Sequence, residues 1–502
     1  MRLNAKQIAE YTGGTFQVEP IDASALLCDI TWDSREAKKG CLYVALPGEK
    51  VDGHDFVGAA LHAGALAALV SQPLPVETCQ LAKEFGAAII EVPNTFSAIT
   101  DLARAWRAHL TGKVIAITGS TGKTTTKNLV RDVLSARFSV VATQANQNNE
   151  LGVPRTLLNA NPETQVVVVE MGMRGRGQIK ALCDFVKPDW GLITNAGESH
   201  IELLGSRENI ARAKAELLGA LPQEASVAFL NDDCDMSGFI WHICGCNKER
   251  CVRVDFNGSR DIDESLYVRY GNDGYTHRRV WARDITLDAQ GCAEFTLVAF
   301  GFDGTWPPEK ALENAECEKC HLSLRGVHNV SNACAAAAVG RMMGMDLPTI
   351  ARALETSVAE TGRQEVLQTP GGVTVINDAY NANPDSMRAA LSTFAALEVG
   401  GARVAVLGDM GELGEYAQAC HEGVGVFAAA LPLDRLICIG ELARFIAQGA
   451  LEGGMDAACV TQAQDIPSVL GDLEASLQEG DAVLVKASHF MELTRIVEGL
   501  VS

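Results

Sequence analysis

The sequence predicts an α/β protein of three domains whose sheets are mainly parallel. The chain has 502 residues, more than one hydrophobic core usually holds, and a prior of roughly 150 residues per domain suggests three. Apolar runs such as Val166–Val169 alternate with helical patterns along the chain. An unbroken run of β-branched residues is typical of a strand buried on both faces of a parallel sheet.

Changes in this pattern divide the chain into three predicted domains. Residues 1–111 form a small mixed α/β domain, and residues 112–357 form a central domain that starts with a phosphate-loop motif. We expect an antiparallel part within the central domain, including a strand at Ser265–Tyr270. Residues 358–502 alternate strands and helices as a doubly wound, Rossmann-like domain does. Its first strand is not followed by G-x-G-x-x-G, so a dinucleotide cofactor is not expected there.

Composition and charge narrow the class of protein. The chain is 47% hydrophobic and 21% charged, as ordinary globular proteins are, and its formal charge of −21 argues against nucleic-acid binding. Residues 1–6 lack the apolar core of a signal peptide, and no run of about 18 apolar residues suggests a membrane span. We therefore expect a cytoplasmic protein without membrane insertion.

Two cysteine patterns invite a cofactor interpretation. The run Cys317–His321 matches the pattern for c-type haem attachment, but an export signal is not evident. His242, Cys244, Cys246 and Cys251 could suit zinc, although their spacing is irregular. In a reducing compartment, cysteines are mostly small buried side chains, so we interpret both patterns as structural.

The strongest single motif is a glycine turn between a strand and a helix. Strand formers at Val114–Thr118 lead into Gly-Ser-Thr-Gly-Lys-Thr-Thr, a shorter loop than G-x-x-x-x-G-K-[ST]. Backbone N–H groups of such a loop hold phosphate oxygens, Lys123 would reach the outer phosphates, and Thr124 would bind Mg²⁺. A chance glycine turn is the alternative, but the flanking strand and helix favour an ATP site. The predicted phosphate-binding residues are Gly119, Ser120, Thr121, Gly122, Lys123, Thr124 and Thr125.

Three further residues follow buried strands or interrupt an apolar face. Glu170 ends a strand where open α/β sheets bind ligands, so it is either a Mg²⁺ ligand or a simple strand-terminating acid. His200 follows the next strand end and, taken alone, is a loop histidine. Lys214 lies beside the apolar stripe of a helix, where a lone lysine usually snorkels to solvent.

Together these motifs resemble the ATP-dependent Mur ligases of peptidoglycan synthesis. The stretches that carry the resemblance, in family order along nearly the whole chain, are Asp33–Arg35, Gly119–Thr125, Asn148 and Asn149, Gly152–Pro154, Glu170–Gly172, His200, Ala213 and Lys214, His328–Asn332, Gly362 and Arg363, Asn377–Ser386, Gly408–Met410 and Glu412–Gly414. The resemblance implies a UDP-binding domain, a central ATPase and a Rossmann-like domain for the incoming amine.

The resemblance also implies a particular reaction. The run Tyr380–Ser386 is similar to that of family members that add a dipeptide, and the Asp-Asn-Pro-Arg tetrapeptide of the sister ligase is absent. The resemblance therefore implies that a monomer joins D-Ala-D-Ala to UDP-MurNAc-tripeptide through an acyl phosphate. The products would be UDP-MurNAc-pentapeptide, ADP and phosphate.

Roles for individual residues follow from the same resemblance. Thr124 and Glu170 would hold one Mg²⁺, and His200 would bind a second that it shares with Lys214 modified by CO₂ to a carbamate. Catalysis would rest on Lys123, Glu170, His200 and Lys214. The remaining ATP contacts would be Asn329, Asn332, Arg363 and Asp378. Substrate contacts would be Ser34, Arg35, Asn148, Asn149, Tyr380, Asn381, Asn383, Asp385 and Lys486, although a lone Asp-Ser-Arg is more often solvated.

Two positions depart from the family pattern. The chain reads Lys-Ala-Ser-His at 486–489 where the family has Lys-Gly-Ser-Arg, and a histidine lacks arginine's two-pronged fork for a carboxylate. Ser199 replaces a small apolar residue, with little consequence expected.

Three other functions compete with this one. The alternatives are a sister ligase for a single amino acid, a phosphotransferase, or a non-ligating ATP-binding scaffold. Joint retention of Lys123, Glu170, His200 and Lys214 argues against the scaffold.

Overall fold

The computed structural model describes residues 1–48, 50–247, 251–258, 278–302 and 315–502. These residues form three α/β units in chain order, each built on its own sheet, which confirms the predicted fold class. The predicted strand at Ser265–Tyr270 lies outside the described residues. Within the described ranges, none of the helices has the length and apolar character needed to span a membrane.

The first unit is a small sheet covered by helices. Its elements are β1 (Leu3–Asn4), α1 (Ala5–Thr12), β2 (Thr15–Val18), β3 (Leu26–Leu27), β4 (Asp29–Thr31), β5 (Cys41–Val44), α2 (Val57–His62), β6 (Ala67–Val70), α3 (Val76–Phe85), β7 (Ala88–Glu91) and α4 (Thr95–Arg107). The main sheet has the order β2-β7-β6-β5-β4, in which only β2 is antiparallel to its neighbour. β1 and β3 pair separately.

The central unit is the largest. Its elements are β8 (Lys113–Thr118), α5 (Lys123–Ser135), β9 (Val140–Ala142), α6 (Gly152–Asn159), β10 (Val166–Glu170), α7 (Gln178–Val186), β11 (Trp190–Ile193), α8 (Ile201–Leu204), α9 (Arg207–Gly219), β12 (Ser226–Asn231), α10 (Ser237–Ile243), β13 (Cys251–Asn257), β14 (Arg278–Leu287), β15 (Cys292–Phe300), β16 (Glu316–Arg325), α11 (His328–Met342) and α12 (Leu347–Glu355). The sheet order is β16-β15-β14-β13-β12-β11-β8-β10-β9. The strands from β9 to β14 run parallel, and β15 and β16 add the predicted antiparallel edge.

The third unit is a doubly wound sheet. Its elements are β17 (Glu365–Gln368), β18 (Thr374–Asn377), α13 (Pro384–Ala396), β19 (Arg403–Gly408), α14 (Ala417–Ala429), β20 (Arg435–Ile439), α15 (Ala443–Glu452), β21 (Val460–Ala463), α16 (Ile466–Ser476), β22 (Ala482–Lys486) and α17 (Thr494–Val501). The order is β17-β18-β22-β19-β20-β21, and only β17 is antiparallel. The last strand therefore lies between the first two parallel strands, which brings the ends of β18, β22 and β19 together.

Burial explains why the apolar runs form central strands. Along β10, Val167 and Val169 pack into one core while Val166 and Val168 pack into another, so the sheet is covered on both faces. This double burial favours the β-branched residues that the sequence places there. Polar side chains after the ends of β8, β10 and β11 are the ones that reach a cavity in this part of the sheet.

Candidate active site

The predicted site residues meet where three neighbouring parallel strands end. β8 lies between β10 and β11, so the loops after these strands open into one cavity of about 1130 Å³. Loops of the third unit close the other side. The predicted residues that line the cavity are Gly119, Ser120, Thr121, Gly122, Lys123, Thr124, Thr125, Asn148, Asn149, Glu170, His200, Lys214, Asn329, Asn332, Arg363, Asp378, Tyr380, Asn381, Asn383, Asp385 and Lys486.

The phosphate loop is held from the β11 side. Asn195 Oδ1 accepts hydrogen bonds from the backbone N–H groups of Ser120 and Thr121, at 3.1 and 3.0 Å. A Cβ atom on Gly119 would lie 1.8 Å from Thr194 Oγ1, so the loop needs a glycine there. Gly122 has φ +75° and caps helix α5, whose first residue is Lys123. The predicted strand, tight loop and helix N-terminus are all present.

Lys123 turns back onto the loop that carries it. Its ammonium donates to the carbonyl oxygens of Gly119 at 2.7 Å and Ser120 at 3.1 Å. Burial lowers the pKa of Lys123, while the nearby Glu170 opposes this change. The ammonium therefore already lies within the loop, where an anionic phosphate would compete with two neutral carbonyl groups for it.

Glu170 forms a buried polar cluster with residues of two other elements. Its Oε1 accepts hydrogen bonds from Thr124 Oγ1 at 3.2 Å and Asn148 Nδ2 at 2.8 Å. Its Oε2 is buried and has no hydrogen-bond partner among the described residues. An unpartnered buried carboxylate oxygen beside a threonine hydroxyl is an oxygen donor set that suits Mg²⁺.

His200 and Lys214 approach the same cavity from the β11 side. His200 Nδ1 donates to Glu412 Oε2 of the third unit. Lys214 is 1% exposed, and no hydrogen bond or ion pair of its ammonium is found in the described ranges. Burial and the charge of Lys123 hold the pKa of Lys214 well below its usual range. Lys214 thus does not snorkel to solvent.

The residues expected around adenine and ribose are engaged with one another. Asn332 Oδ1 accepts from Thr126 Oγ1 at 3.0 Å, and Asn332 Nδ2 donates to Asn329 Oδ1 at 2.9 Å. The guanidinium of Arg363 lies 4.3 Å from the ring centre of Tyr380, a cation–π contact. These contacts order the wall of the cavity without closing it.

The third unit contributes a second charged cluster. Lys486 Nζ donates to Asp378 Oδ2 at 2.7 Å and to the carbonyl of Asn381 at 2.9 Å. Burial raises the pKa of Asp378, although Lys486 acts in the opposite direction. His489 lies beside Tyr380, with ring centres 5.8 Å apart.

Several predicted contact residues also have structural tasks. Asn149 Oδ1 accepts the N–H groups of Leu151 and Gly152 and so begins helix α6. Asn383 caps α13 through Oδ1, while its Nδ2 donates to Ser199 Oγ at 2.8 Å. The Ser199 hydroxyl in turn lies 3.4 Å from the Ser120 carbonyl, so this position links the phosphate loop to the third unit.

Asp385 lies at the same contact between units. A Cβ atom on Gly197 would be 2.4 Å from Asp385 Oδ2, so the carboxylate approaches the backbone after β11 closely. Arg388, one turn further along α13, lies 3.7 Å from Asp385 Oδ1.

Ser34 and Arg35 are not among the residues that line the cavity. Arg35 is 88% exposed and pairs with Asp33 at 2.6 Å, as a solvated Asp-Ser-Arg would. The first unit instead contacts the central unit through Arg155, which pairs with Glu36 at 2.9 Å and lies over Trp32.

Sequence reasoning gave no role to three residues at or beside the cavity, although Glu412 lies in a stretch that carries the family resemblance. Asn195 shapes the phosphate loop, Glu412 bonds to His200, and Lys127 donates to the carbonyls of Thr143 and Ala145 at 2.8 and 3.2 Å. Lys127 is 1% exposed. It lies four residues after Lys123, on the helix that follows the phosphate loop, and this spacing is the sequence feature from which its burial could have been predicted. The Glu412 contact depends on how two units dock, for which the chain holds no local signal.

The cysteine patterns fall on structural elements away from the cavity. Cys317 is exposed and Cys320 buried on β16, while Cys244 and Cys246 lie with their sulfurs 3.2 Å apart. A further group, Asp288, Cys292 and His321, is close enough for a metal ion. Its polar atoms already bond within the hairpin, because Asp288 accepts two backbone N–H groups and contacts His321, and Cys292 contacts the Ser323 carbonyl.

Family models match three parts of the chain. The Mur ligase family catalytic domain matches residues 29–107, the Mur ligase middle domain residues 117–340, and the Mur ligase glutamate ligase domain residues 362–489. With the relatives described next, these matches establish that the chain belongs to the Mur ligase family.

Two curated relatives that bear the same name match over the whole chain. A UDP-N-acetylmuramoyl-tripeptide–D-alanyl-D-alanine ligase of Bacillus subtilis is 33% identical, with 100% of this chain and 99% of the relative covered. The ligase of the same name from Mycobacterium bovis is 35% identical over 100% and 98%. A crystal structure of MurF from Acinetobacter baumannii superposes with a TM-score of 0.78 at 29% identity, covering 100% of this chain and 99% of that one.

Proposed function

We propose that the chain is an ATP-dependent ligase that joins D-Ala-D-Ala to UDP-MurNAc-tripeptide. The observation that carries the proposal is the shared cavity, in which a phosphate loop, a buried carboxylate and a polar wall from the third unit face one another. A free carboxylate is a poor electrophile, so amide formation needs an activated acyl group. Transfer of the γ-phosphoryl group of ATP to the tripeptide carboxylate gives an acyl phosphate, which the amine of the dipeptide attacks with release of phosphate.

The phosphate loop and Lys123 would bind the triphosphate. The backbone N–H groups at the start of helix α5 would donate to the anion, and the Lys123 ammonium would exchange its contacts with Gly119 and Ser120 for phosphate oxygens. Because two anions approach each other in this reaction, positioned positive charge is the main catalytic requirement. Asn148, held against Glu170, would orient the substrate carboxylate or shield the transferring group.

Magnesium ions would complete this charge balance. Thr124 and Glu170 would hold one ion, since Glu170 Oε2 is buried with no hydrogen-bond partner in the described ranges, and His200 would hold a second. Mg²⁺ bound there would neutralise phosphate oxygens and align them for transfer.

Lys214 would share the second ion after modification by CO₂. Burial lowers the pKa of Lys214 and so favours the neutral amine, which would add to CO₂ to give a carbamate and one released proton. The carbamate would offer two oxygen donors, which Mg²⁺ prefers, at a position where a charged ammonium is costly to bury. The modification therefore removes an electrostatic penalty and supplies a ligand in one step.

The third unit would present the incoming amine, and the first unit the UDP group. Tyr380, Asn381, Asn383, Asp385 and Lys486 would orient the dipeptide, because they belong to the third unit and line the cavity. Asn329, Asn332, Arg363 and Asp378 would contact adenine and ribose. Ser34 and Arg35, which do not line the cavity, would bind the UDP end. We propose that the protein acts as a monomer, with domain boundaries near 111/112 and 357/358.

Product analysis tests the proposal directly. UDP-MurNAc-tripeptide labelled with ¹⁸O in its terminal carboxylate is incubated with ATP, Mg²⁺ and D-Ala-D-Ala, and the products are weighed by mass spectrometry. We expect UDP-MurNAc-pentapeptide, ADP and inorganic phosphate carrying one ¹⁸O atom. A stable phosphorylated tripeptide would indicate a phosphotransferase. ADP formation independent of both other substrates would indicate a scaffold, and a product with a single added amino acid would indicate a sister ligase.

A further inference from the structure

Glu412 lies between two residues of the central unit although it belongs to the third. Its Oε2 accepts the hydrogen bond from His200 Nδ1, and its Oε1 lies 3.4 Å from Arg174 Nε. Because a carboxylate can only accept, the His200 proton must be on Nδ1. In the neutral ring, Nε2 then keeps the lone pair that can bind a cation.

Both partners have an unusual backbone conformation. His200 has φ +64° and Glu412 has φ +60°, in the left-handed region that residues other than glycine seldom adopt. Such conformations persist only where the surrounding structure imposes them, and they concentrate at functional sites. Two of them facing each other across the contact between units indicate that this pairing is specified by the fold.

The loop that carries Glu412 is held by its own unit. The Gly411 N–H donates to Ser488 Oγ at 2.9 Å, and the Met410 N–H donates to His421 Nε2 at 2.9 Å. His421 is fully buried. Glu412 is therefore presented on a loop that is ordered independently of the central unit.

The same loop docks closely on the segment that follows His200. The Glu202 N–H donates to the Glu412 carbonyl at 3.3 Å. A Cβ atom on Gly414 would lie 2.9 Å from Glu202 Cγ. Separation of the two units would break these contacts and the His200–Glu412 hydrogen bond together.

We propose that Glu412 is a positioning residue for His200, through which docking of the third unit completes a divalent-cation site of the central unit. The inference rests on the proposed function, in which His200 is a cation ligand. A carboxylate behind a ligating histidine sets the ring's tautomer and orientation and raises its basicity. Cation binding at this site then depends on the closed arrangement of the units, so the second ion is bound tightly only when the amine-binding unit is in place.

Cation binding by the full-length protein tests this proposal. Mn²⁺, which is visible by electron paramagnetic resonance, is titrated in the presence of ADP into wild type, Glu412→Ala, Glu412→Gln and His200→Ala. Glu415→Ala is the matched control, since Glu415 is an exposed acid in the same loop. Thermal unfolding of each variant establishes that it is folded.

We expect Glu412→Ala to weaken one class of Mn²⁺ sites by roughly 10- to 100-fold, as loss of a carboxylate behind a metal-bound histidine does elsewhere. Glu412→Gln keeps an acceptor oxygen and should fall between Glu412→Ala and wild type, while Glu415→Ala should match wild type. High Mg²⁺ should restore the ligation rate of Glu412→Ala, which a purely structural defect would not allow.

Two results would overturn the inference, and they differ in what else they affect. If His200→Ala loses one class of Mn²⁺ sites while both Glu412 variants bind Mn²⁺ as wild type does, the positioning role alone is wrong. If His200→Ala itself binds Mn²⁺ normally, the cation assignment in the proposed function is wrong, and the positioning role falls with it. Should Glu412→Ala prove unfolded, the volume-preserving Glu412→Gln decides between the outcomes by the same titration.

Discussion

Thr124 and Glu170 come from adjacent strand ends, and the threonine hydroxyl donates to Glu170 Oε1 at 3.2 Å, while Oε2 is buried and finds no partner in the part of the chain that the structure describes. Glu170 therefore has one oxygen with hydrogen-bond partners and one without, on a side chain that is fully buried. This asymmetry is unfavourable for stability and favourable for binding a cation, and it leads to the first prediction.

Glu170→Gln should separate stability from cation binding. Without divalent ions, we expect the free energy of unfolding to rise by about 1 kcal/mol, because a neutral amide is less costly to bury unpartnered than a carboxylate oxygen. On addition of ADP and MgCl₂, wild type should gain thermal stability and the variant should gain little. Equal stabilisation of both proteins would contradict the role of Glu170 as a ligand.

Lys123→Ala should abolish ligation without unfolding the protein. The ammonium is the positive charge held within the phosphate loop, and removing one such positioned donor typically lowers turnover by roughly 10²- to 10³-fold. The rate of ADP release with all three substrates measures the effect. Lys180→Ala on the exposed face of α7 serves as the control and should keep the wild-type rate. Turnover near normal in Lys123→Ala would remove the central assignment.

Lys214→Ala should be inactive and partly rescued by a short-chain carboxylic acid. The substitution leaves space in which an added carboxylate can replace the carbamate oxygens. Ligation rates are compared with and without acetate, and wild type with acetate controls for a general salt effect. A variant that stays inactive at every acetate concentration, together with an unmodified Lys214 mass in the native protein, would exclude the carbamate.

The buried His421 should make folding stability depend on pH. Burial lowers the pKa of His421 below its ordinary value of 6.5, so the unfolded chain binds more protons than the folded one just below pH 6.5. The stabilising contribution is therefore complete above pH 6.5 and is lost as the pH falls towards the folded-state value, by up to about 1.4 kcal/mol per pH unit.

Denaturant unfolding between pH 5 and 8 measures this slope. His421→Gln should flatten it in the window below pH 6.5, even if its stability at pH 8 is lower. His62→Gln removes an exposed histidine and should leave the slope unchanged. An identical slope in His421→Gln and wild type would contradict the assignment.

Most of the central site could be predicted from the sequence because strand ends and motifs are local features of the chain. A β-branched run followed by a glutamate places Glu170 at the edge of a sheet, and the glycine turn places Lys123 beside it. Neither inference requires knowledge of how the units pack. The structure brings these residues to one cavity as expected.

Contacts between units could not be read in this way. Glu412 meets His200 across 212 positions of sequence, and Ser199, expected to matter little, lies between the Ser120 carbonyl and Asn383. These meetings depend on rigid-body docking of two sheets, which no periodicity or capping pattern encodes. The sheet order of the third unit, with β22 between β18 and β19, was likewise beyond an alternating pattern of strands and helices.

The close packing of Gly414 on Glu202 suggests a way to inhibit the protein that leaves nucleotide binding alone. A compound bound between Gly414 and Glu202 would hold the two units apart. The hydrogen bond from His200 to Glu412 could then not form. The potency of the compound would then be insensitive to the cellular ATP concentration, which weakens inhibitors that compete for a phosphate loop.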